Sequence, residues 1–164
     1  QCGLGASSED VLAMIFERMR AFYAHEVEAR PGALAFVRGL HARGVPMAVA
    51  SSTPADMLAI CVERCGFAPY MKAVVSVDDL RTSKREPAVY DHARSFLGTD
   101  RAHTWGFEDA AYALDTLRAA GFRAGAIYDN DISGSWDALV ARAELLIPTW
   151  EDLTAETFLD KVRA

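Results

Sequence analysis

Short apolar segments alternate with longer amphipathic segments along the chain from residue 31 onward. Each apolar segment has four or five residues, many of them alanine, valine, leucine or isoleucine, as is typical of buried strands. The segments lie at 47–50, 73–77, 103–107, 124–128 and 145–148. Strands that alternate with helices at this interval predict a parallel sheet with helices on both faces, a Rossmann-like three-layer α/β/α fold.

Helices are predicted between these strands, and proline or glycine marks several of their ends. Pro31 suits a first helical turn, and Gly44 suits the position after the last turn. The predicted helices cover residues 31–43, 54–65, 87–96, 110–120 and 136–142, and a terminal helix begins near residue 151. A further helix is predicted after Ser7, which forms a capping-box pattern with Asp10 and precedes an apolar stripe that extends to Tyr23.

The composition favours one globular domain and argues against nucleic-acid and membrane partners. A chain of 164 residues has the usual size of a single domain, and 51% hydrophobic with 24% charged residues is ordinary. The net charge is −6 and the basic residues do not cluster, so we expect no nucleic-acid partner. No apolar run reaches the roughly 18 residues of a membrane-spanning helix.

The cysteines are Cys2, Cys61 and Cys65. An odd and sparse set is a poor disulfide framework and predicts a reducing compartment, the cytoplasm. Cys61 and Cys65 are four residues apart and share one face of a predicted helix. We interpret them as buried apolar side chains, with a metal or redox pair as the alternative.

Polar residues follow four of the predicted strands, at 51–53, 82–84, 108–109 and 129–131. The carboxyl ends of parallel strands meet at one edge of the sheet, where ligands bind. Ser51 and nearby backbone amides can bind phosphate oxygens, and Lys84 can neutralise charge on a transferring group. Glu108 and Asp109 offer the oxygen ligands that Mg²⁺ prefers. This edge is therefore predicted to bind a phosphate group and a metal ion.

Each of these residues also has a structural explanation. Thr53 before Pro54 is a suitable helix N-cap, and a single lysine in a loop is usually solvated. Glu108 and Asp109 precede a predicted helix and can complement its dipole. The phosphate-and-metal hypothesis is favoured because the residues occur together, in order, at successive strand ends.

Four segments resemble the haloacid dehalogenase superfamily, in particular its β-phosphoglucomutase-like phosphatases with a helical cap. Residues 30–33 (Arg-Pro-Gly-Ala) are similar to the segment that re-enters the core from the cap. Residues 49–53 resemble the second motif of the family, and residues 106–109 (Gly-Phe-Glu-Asp) resemble the fourth. Residues 83–87 resemble the third motif, with Arg85 in place of its first proline.

The resemblance implies a Mg²⁺-dependent phosphatase that acts on a small phosphorylated metabolite through an aspartyl-phosphate. Ser51 would bind a phosphate oxygen through its hydroxyl, and Ser52 would add its backbone amide. Lys84 would bridge the phosphoryl group and the nucleophile. Asp109 would ligate Mg²⁺, and Glu108 would hold a metal-bound water.

The nucleophile of the family is an aspartate in a first motif, Asp-x-Asp-Gly-Thr, and this sequence does not contain that motif. The expected organisation is therefore the end of a helical cap with its linker at 1–29, and at 30–164 a core that lacks its first strand. The nucleophile is expected upstream, and this chain alone is expected to be inactive. Asp129, in Asp-Asn-Asp at 129–131, is interpreted as a loop residue because it follows the fourth motif and lacks Gly-Thr after it.

Two other functions are compatible with the same residues. A phosphomutase of the β-phosphoglucomutase type would use the same core, because the cap decides between the two reactions. A non-catalytic phosphate-binding module or pseudo-enzyme would retain the edge without the nucleophile. A response-regulator receiver domain is disfavoured, since it needs an acidic pair early in the chain and an aspartate before the hydroxyl.

Overall fold

The computed structural model describes residues 7–129 and 135–163. The five predicted strands are confirmed, with ends shifted by up to two residues. They are β1 (Ala48–Ser51), β2 (Ala73–Ser76), β3 (Trp105–Glu108), β4 (Arg123–Ile127) and β5 (Leu145–Ile147). Cys2, Asn130 and Asp131, which were considered above, lie outside the described residues.

The predicted helices are also confirmed, with two differences. They are α1 (Ser8–His25), α2 (Ala33–His41), α3 (Ala55–Arg64), α4 (Val77–Leu80), α5 (Ala88–Ser95), α6 (Ala111–Ala119), α7 (Trp136–Val140) and α8 (Ala155–Arg163). The short helix α4 was not predicted; Ser76 caps it by accepting a hydrogen bond from the Asp78 amide. The terminal helix begins at Ala155 rather than near residue 151, because a 3-10 turn at Trp150–Asp152 precedes it.

Helix α1 begins with the predicted capping box. The Ser7 hydroxyl accepts a hydrogen bond from the Asp10 amide, and the Asp10 carboxylate accepts one from the Ser7 amide. The helix lies against α3, where Arg20 forms an ion pair with Asp56. Because no residue of α1 is buried in the structure, its apolar stripe is only partly covered by α3.

The strands pair in two parallel groups, which confirms the predicted α/β class. β1 pairs with β2, and β3, β4 and β5 pair in that order. The register places Ser51 beside Ser76 at the carboxyl ends of the first group. In the second group Glu108 lies beside Ala126.

Two hydrophobic cores contain residues that alternate along the strands, which places helices on both faces. One core contains Ala124 and Ala126 of β4 with buried residues of α5, α6 and α7. The other contains Leu145 and Ile147 of β5 with residues of α2 and α8. Trp105 and Phe107 of β3 pack against this second core. Successive side chains of a strand point to opposite faces, so its apolar residues enter these two cores. The polar residues lie where the strands end.

Candidate active site

The site lies where the two groups of strands face a common cleft. β1 and β3 each have one edge without a strand partner among the described residues. Residues of both strands line two adjoining cavities of about 530 and 260 Å³. Unpaired strand edges present rows of amide and carbonyl groups that require hydrogen-bonding partners. We call the space between these two edges the interstrand cleft.

Lys84 and Glu108 form a largely buried ion pair near the carboxyl end of β3. The Lys84 Nζ lies 2.7 Å from the Glu108 Oε1, and their side chains are only 16% and 6% exposed. Tyr90, on helix α5, donates a second hydrogen bond of 2.9 Å to the same oxygen. Lys84 is thus not the solvated loop lysine of the structural explanation. Glu108 is the last residue of β3, and its carboxylate is bound by side chains rather than by a helix terminus.

Burial and the two hydrogen-bond donors shift the pKa of Glu108 in opposite directions. Removal from water raises the pKa of Glu108, while the nearby Lys84 ammonium and the Tyr90 hydroxyl oppose that rise. Burial also raises the pKa of Tyr90, and the Glu108 carboxylate adds to the effect, so the phenol remains a hydrogen-bond donor. A lysine and a tyrosine on one oxygen are the compensation that a buried carboxylate requires.

Asp109 follows Glu108 and differs from it in being free of hydrogen bonds and ion pairs to any residue in the described ranges. The residues fit a Mg²⁺ ion, which proteins usually hold by one or two carboxylates together with water and substrate phosphate. No group of three histidine, cysteine, aspartate or glutamate side chains that would form an all-protein metal site occurs in the described part of the chain. The donor set of Asp109 and Glu108 therefore suits Mg²⁺ better than zinc.

The hydroxyl loop follows β1. The Ser51 Oγ accepts a 3.1 Å hydrogen bond from the Thr53 amide, so its own proton is available for another acceptor. Ser52 is exposed. Thr53 is not the N-cap of α3, since Pro54 takes that position. The loop is fixed from β2, where the buried Ser76 hydroxyl donates 2.8 Å to the Thr53 carbonyl.

The sequence placed Ser51, Ser52, Lys84, Glu108 and Asp109 at one edge of the sheet. The structure shows Lys84 in direct contact with Glu108, and it places Ser51 at the end of a strand that lines the interstrand cleft. The roles of these residues stay predictions. Tyr90 and Ser76 were missed. A buried tyrosine needs a partner for its hydroxyl, so its position on the apolar face of α5 was the available signal for Tyr90.

Among the described residues, Asp129 forms no hydrogen bond or ion pair with Lys84 or Glu108. Its carboxylate pairs with Arg30, and the Arg30 guanidinium also donates 2.9 Å to the Tyr128 carbonyl. The contact joins the segment before α2 to the loop after β4. It agrees with the interpretation of Asp129 as a loop residue.

The family model for haloacid dehalogenase-like hydrolases matches residues 5–121. The chain therefore belongs to this family.

One curated relative is a phosphoglycolate phosphatase from Rhodobacter capsulatus, which is 27% identical over 128 residues. The match covers 74% of this chain and 58% of the relative, so the chain spans well under two thirds of that protein.

Two solved structures show the same fold. The first is a mutant of CbbY from Rhodobacter sphaeroides in complex with xylulose 1,5-bisphosphate, with a TM-score of 0.76 and 21% identity over 88% of this chain and 65% of the other. The second is a β-phosphoglucomutase from Clostridium difficile, with a TM-score of 0.75 and 14% identity over 98% of this chain and 70% of the other.

Proposed function

We propose that the protein is a Mg²⁺-dependent phosphohydrolase that acts on a small phosphorylated metabolite. The observation that carries the proposal is the largely buried Lys84–Glu108 ion pair beside the Asp109 carboxylate, which has no hydrogen bond or ion pair to another described residue. Family membership supports the hydrolase class. The phosphatase relative and the bisphosphate in the CbbY complex support a phosphorylated substrate.

Each residue has a proposed part in binding and charge stabilisation. Ser51 donates its hydroxyl, and Ser52 its backbone amide, to phosphate oxygens. Lys84 places its ammonium between the phosphoryl group and the nucleophile, where developing negative charge is greatest. Asp109 binds Mg²⁺ directly and Glu108 binds one of its waters. When bound, Mg²⁺ would neutralise phosphate charge and orient the phosphoryl group.

The nucleophilic aspartate is proposed to lie on a strand that fills the interstrand cleft. Such a strand would pair with the open edges of both β1 and β3 and satisfy their backbone groups. The chain has no Asp-x-Asp-Gly-Thr, so we propose that polypeptide outside residues 1–164 supplies this strand. On this proposal residues 1–29 are the end of a cap with its linker, and 30–164 are the core without its first strand.

A phosphomutase is the second candidate, because the C. difficile β-phosphoglucomutase has the same fold. The two reactions differ in the fate of the phosphoryl group. A phosphatase passes it to water and releases inorganic phosphate, whereas a mutase returns it to another substrate hydroxyl.

No helix of the described residues is both long and apolar enough to cross a membrane. Cys61 and Cys65 are free thiols, which supports a reducing, cytoplasmic location.

The test is release of inorganic phosphate from a panel of sugar phosphates and 2-phosphoglycolate by the protein in its full natural length. We expect release that depends on Mg²⁺ and falls by at least about a hundredfold in Lys84→Ala, because an electrostatic donor at the transition state is lost. Lys161→Ala, an exposed lysine of α8, is the matched control and should retain full activity. Phosphate release that Lys84→Ala leaves unchanged would contradict the site, and isomerised sugar phosphate without release would identify a mutase.

A further inference from the structure

Tyr90 is the one tyrosine whose hydroxyl contacts the acidic pair in the described residues. It lies on α5 and is 6% exposed, and the centroid of its ring lies 6.3 Å from the centroid of the Phe122 ring. Phenylalanine would fill this apolar site equally well. A buried hydroxyl is costly unless it is hydrogen-bonded, so the hydroxyl is explained by its bond to Glu108 and not by packing.

The geometry of that bond is selective for one carboxylate oxygen. Both Tyr90 and Lys84 donate to Glu108 Oε1, at 2.9 and 2.7 Å. Within 7–129 and 135–163, no group donates a hydrogen bond to Oε2 of Glu108. Two donors on one oxygen restrict rotation of the carboxylate about its last torsion. The second oxygen is therefore held in a fixed direction with its lone pairs available.

Because Tyr90 also holds Glu108, the position of that carboxylate does not depend on Lys84 alone. An ammonium has three donors, and only one of them is used by Glu108 in the structure. If the lysine alone fixed the carboxylate, its movement toward a phosphoryl group would release Glu108. With Tyr90 as an independent donor, Lys84 can move while Glu108 stays in place.

We propose that Tyr90 is a positioning residue that holds Glu108 by Oε1 so that Oε2 faces the cation and its water. The inference rests on the proposed Mg²⁺ site. Outer-shell groups of a metal site commonly change metal affinity by about 10- to 100-fold when they are removed, and Glu108 would be such a group through the water that it holds. Because Tyr90 acts through Glu108, its effect on Mg²⁺ must require the Glu108 carboxylate.

The experiment is calorimetric titration of Mg²⁺ into the full-length protein and its Tyr90→Phe variant, with Mn²⁺ as a second probe. We expect the Kd for Mg²⁺ to rise by about tenfold in Tyr90→Phe. The matched control is Tyr70→Phe, which removes a hydroxyl that is hydrogen-bonded to Arg38 before the amino end of β2. That variant should leave the Kd unchanged.

A double-variant comparison separates positioning from a general structural effect. In a Glu108→Gln background, Tyr90→Phe should cause no further loss of Mg²⁺ affinity. An equal loss in both backgrounds, or an unchanged Kd in Tyr90→Phe, would overturn the inference. If Tyr90→Phe unfolds, a protein with 4-aminophenylalanine at position 90, which keeps a hydrogen-bond donor at the place of the hydroxyl, must bind Mg²⁺ as tightly as the unaltered protein for the inference to stand.

The two proposals fail in different ways. If the unaltered protein neither binds Mg²⁺ nor releases phosphate, the proposed function is wrong and the inference falls with it. If the protein binds Mg²⁺ and releases phosphate while Tyr90→Phe matches it in Kd, only the inference about Tyr90 is wrong.

Discussion

Replacing Lys84 with methionine keeps most of the side-chain volume and removes the charge that compensates Glu108. The pair is close, at 2.7 Å, and Glu108 is nearly inaccessible to water, with 6% of its side chain exposed. Loss of one partner from a buried ion pair costs about 3–5 kcal/mol, because the other charge stays buried without compensation. We expect about 3 kcal/mol for Lys84→Met at pH 8, since Lys84 itself is partly exposed and Tyr90 still donates to Glu108.

The loss should depend on pH. Burial raises the pKa of Glu108 above its unfolded value, and Lys84 opposes this rise, so the pKa increases further in the variant. A carboxyl group whose pKa is raised on folding contributes stability that is fully present below its unfolded pKa of about 4.3. That contribution is lost as the pH rises through the folded pKa. The difference between Lys84→Met and the unaltered protein should therefore shrink as the pH falls from about 8 to about 5.

Urea unfolding in EDTA, followed by circular dichroism at both pH values, measures the loss without a bound metal ion. The control is the double variant Lys84→Met/Glu108→Gln, which removes both charges and should recover stability to within about 1 kcal/mol of the unaltered protein. A loss below about 1 kcal/mol at pH 8, or an equal loss at both pH values, would refute the role given to burial.

Three further predictions follow from single contacts. Gly106→Ala would place a Cβ 2.5 Å from the Leu117 Cδ1. We therefore expect the free energy of unfolding in urea to fall by about 1–3 kcal/mol. An unchanged value would show that β3 and α6 pack less closely than this distance indicates. Burial and the neighbouring Cys65 thiol raise the pKa of Cys61 to about 11. Peptide mapping should therefore show that iodoacetamide alkylates Cys61 at pH 8 on the order of 100-fold more slowly than an ordinary thiol. A normal rate would contradict that pKa. The hydrogen-bonded ion pair with Arg101 lowers the pKa of Asp91, so Asp91→Asn should lower the Tm at pH 7. This difference should disappear as the pH falls from the unfolded pKa of about 3.9 through the lower folded pKa. A difference that persists in acid would contradict the ion-pair explanation.

The strands and helices were predictable because their apolar periodicity is local. The five strands were located within two residues, and the capping box of Ser7 and Asp10 marked the start of α1 correctly. Local pattern failed where a few residues form a short element. Helix α4 has four residues and depends on Ser76 as its cap, and the turn at Trp150–Asp152 delays the terminal helix.

The candidate site was predictable to the level of its strand ends. Parallel pairing places Ser51 and Glu108 at the carboxyl ends of strands in their own groups, and the contact of Lys84 with Glu108 agrees with the prediction that Lys84 lies near this end of β3. The partner of Glu108 on α5 was not predictable, because the bond of Tyr90 depends on how that helix packs against β3. Local pattern also does not show which edges of β1 and β3 have no strand partner among the described residues, because this depends on how all the strands pair.

The most direct test of the account is to find where the phosphoryl group is held during turnover. The full-length protein would be incubated with substrate and Mg²⁺, quenched in acid, and analysed by intact mass and peptide mapping. The account predicts one hydroxylamine-sensitive phosphoryl group on an aspartate outside residues 1–164. A phosphoryl group on Asp129, on any other residue of this chain, or phosphate release without a phosphorylated protein would contradict it.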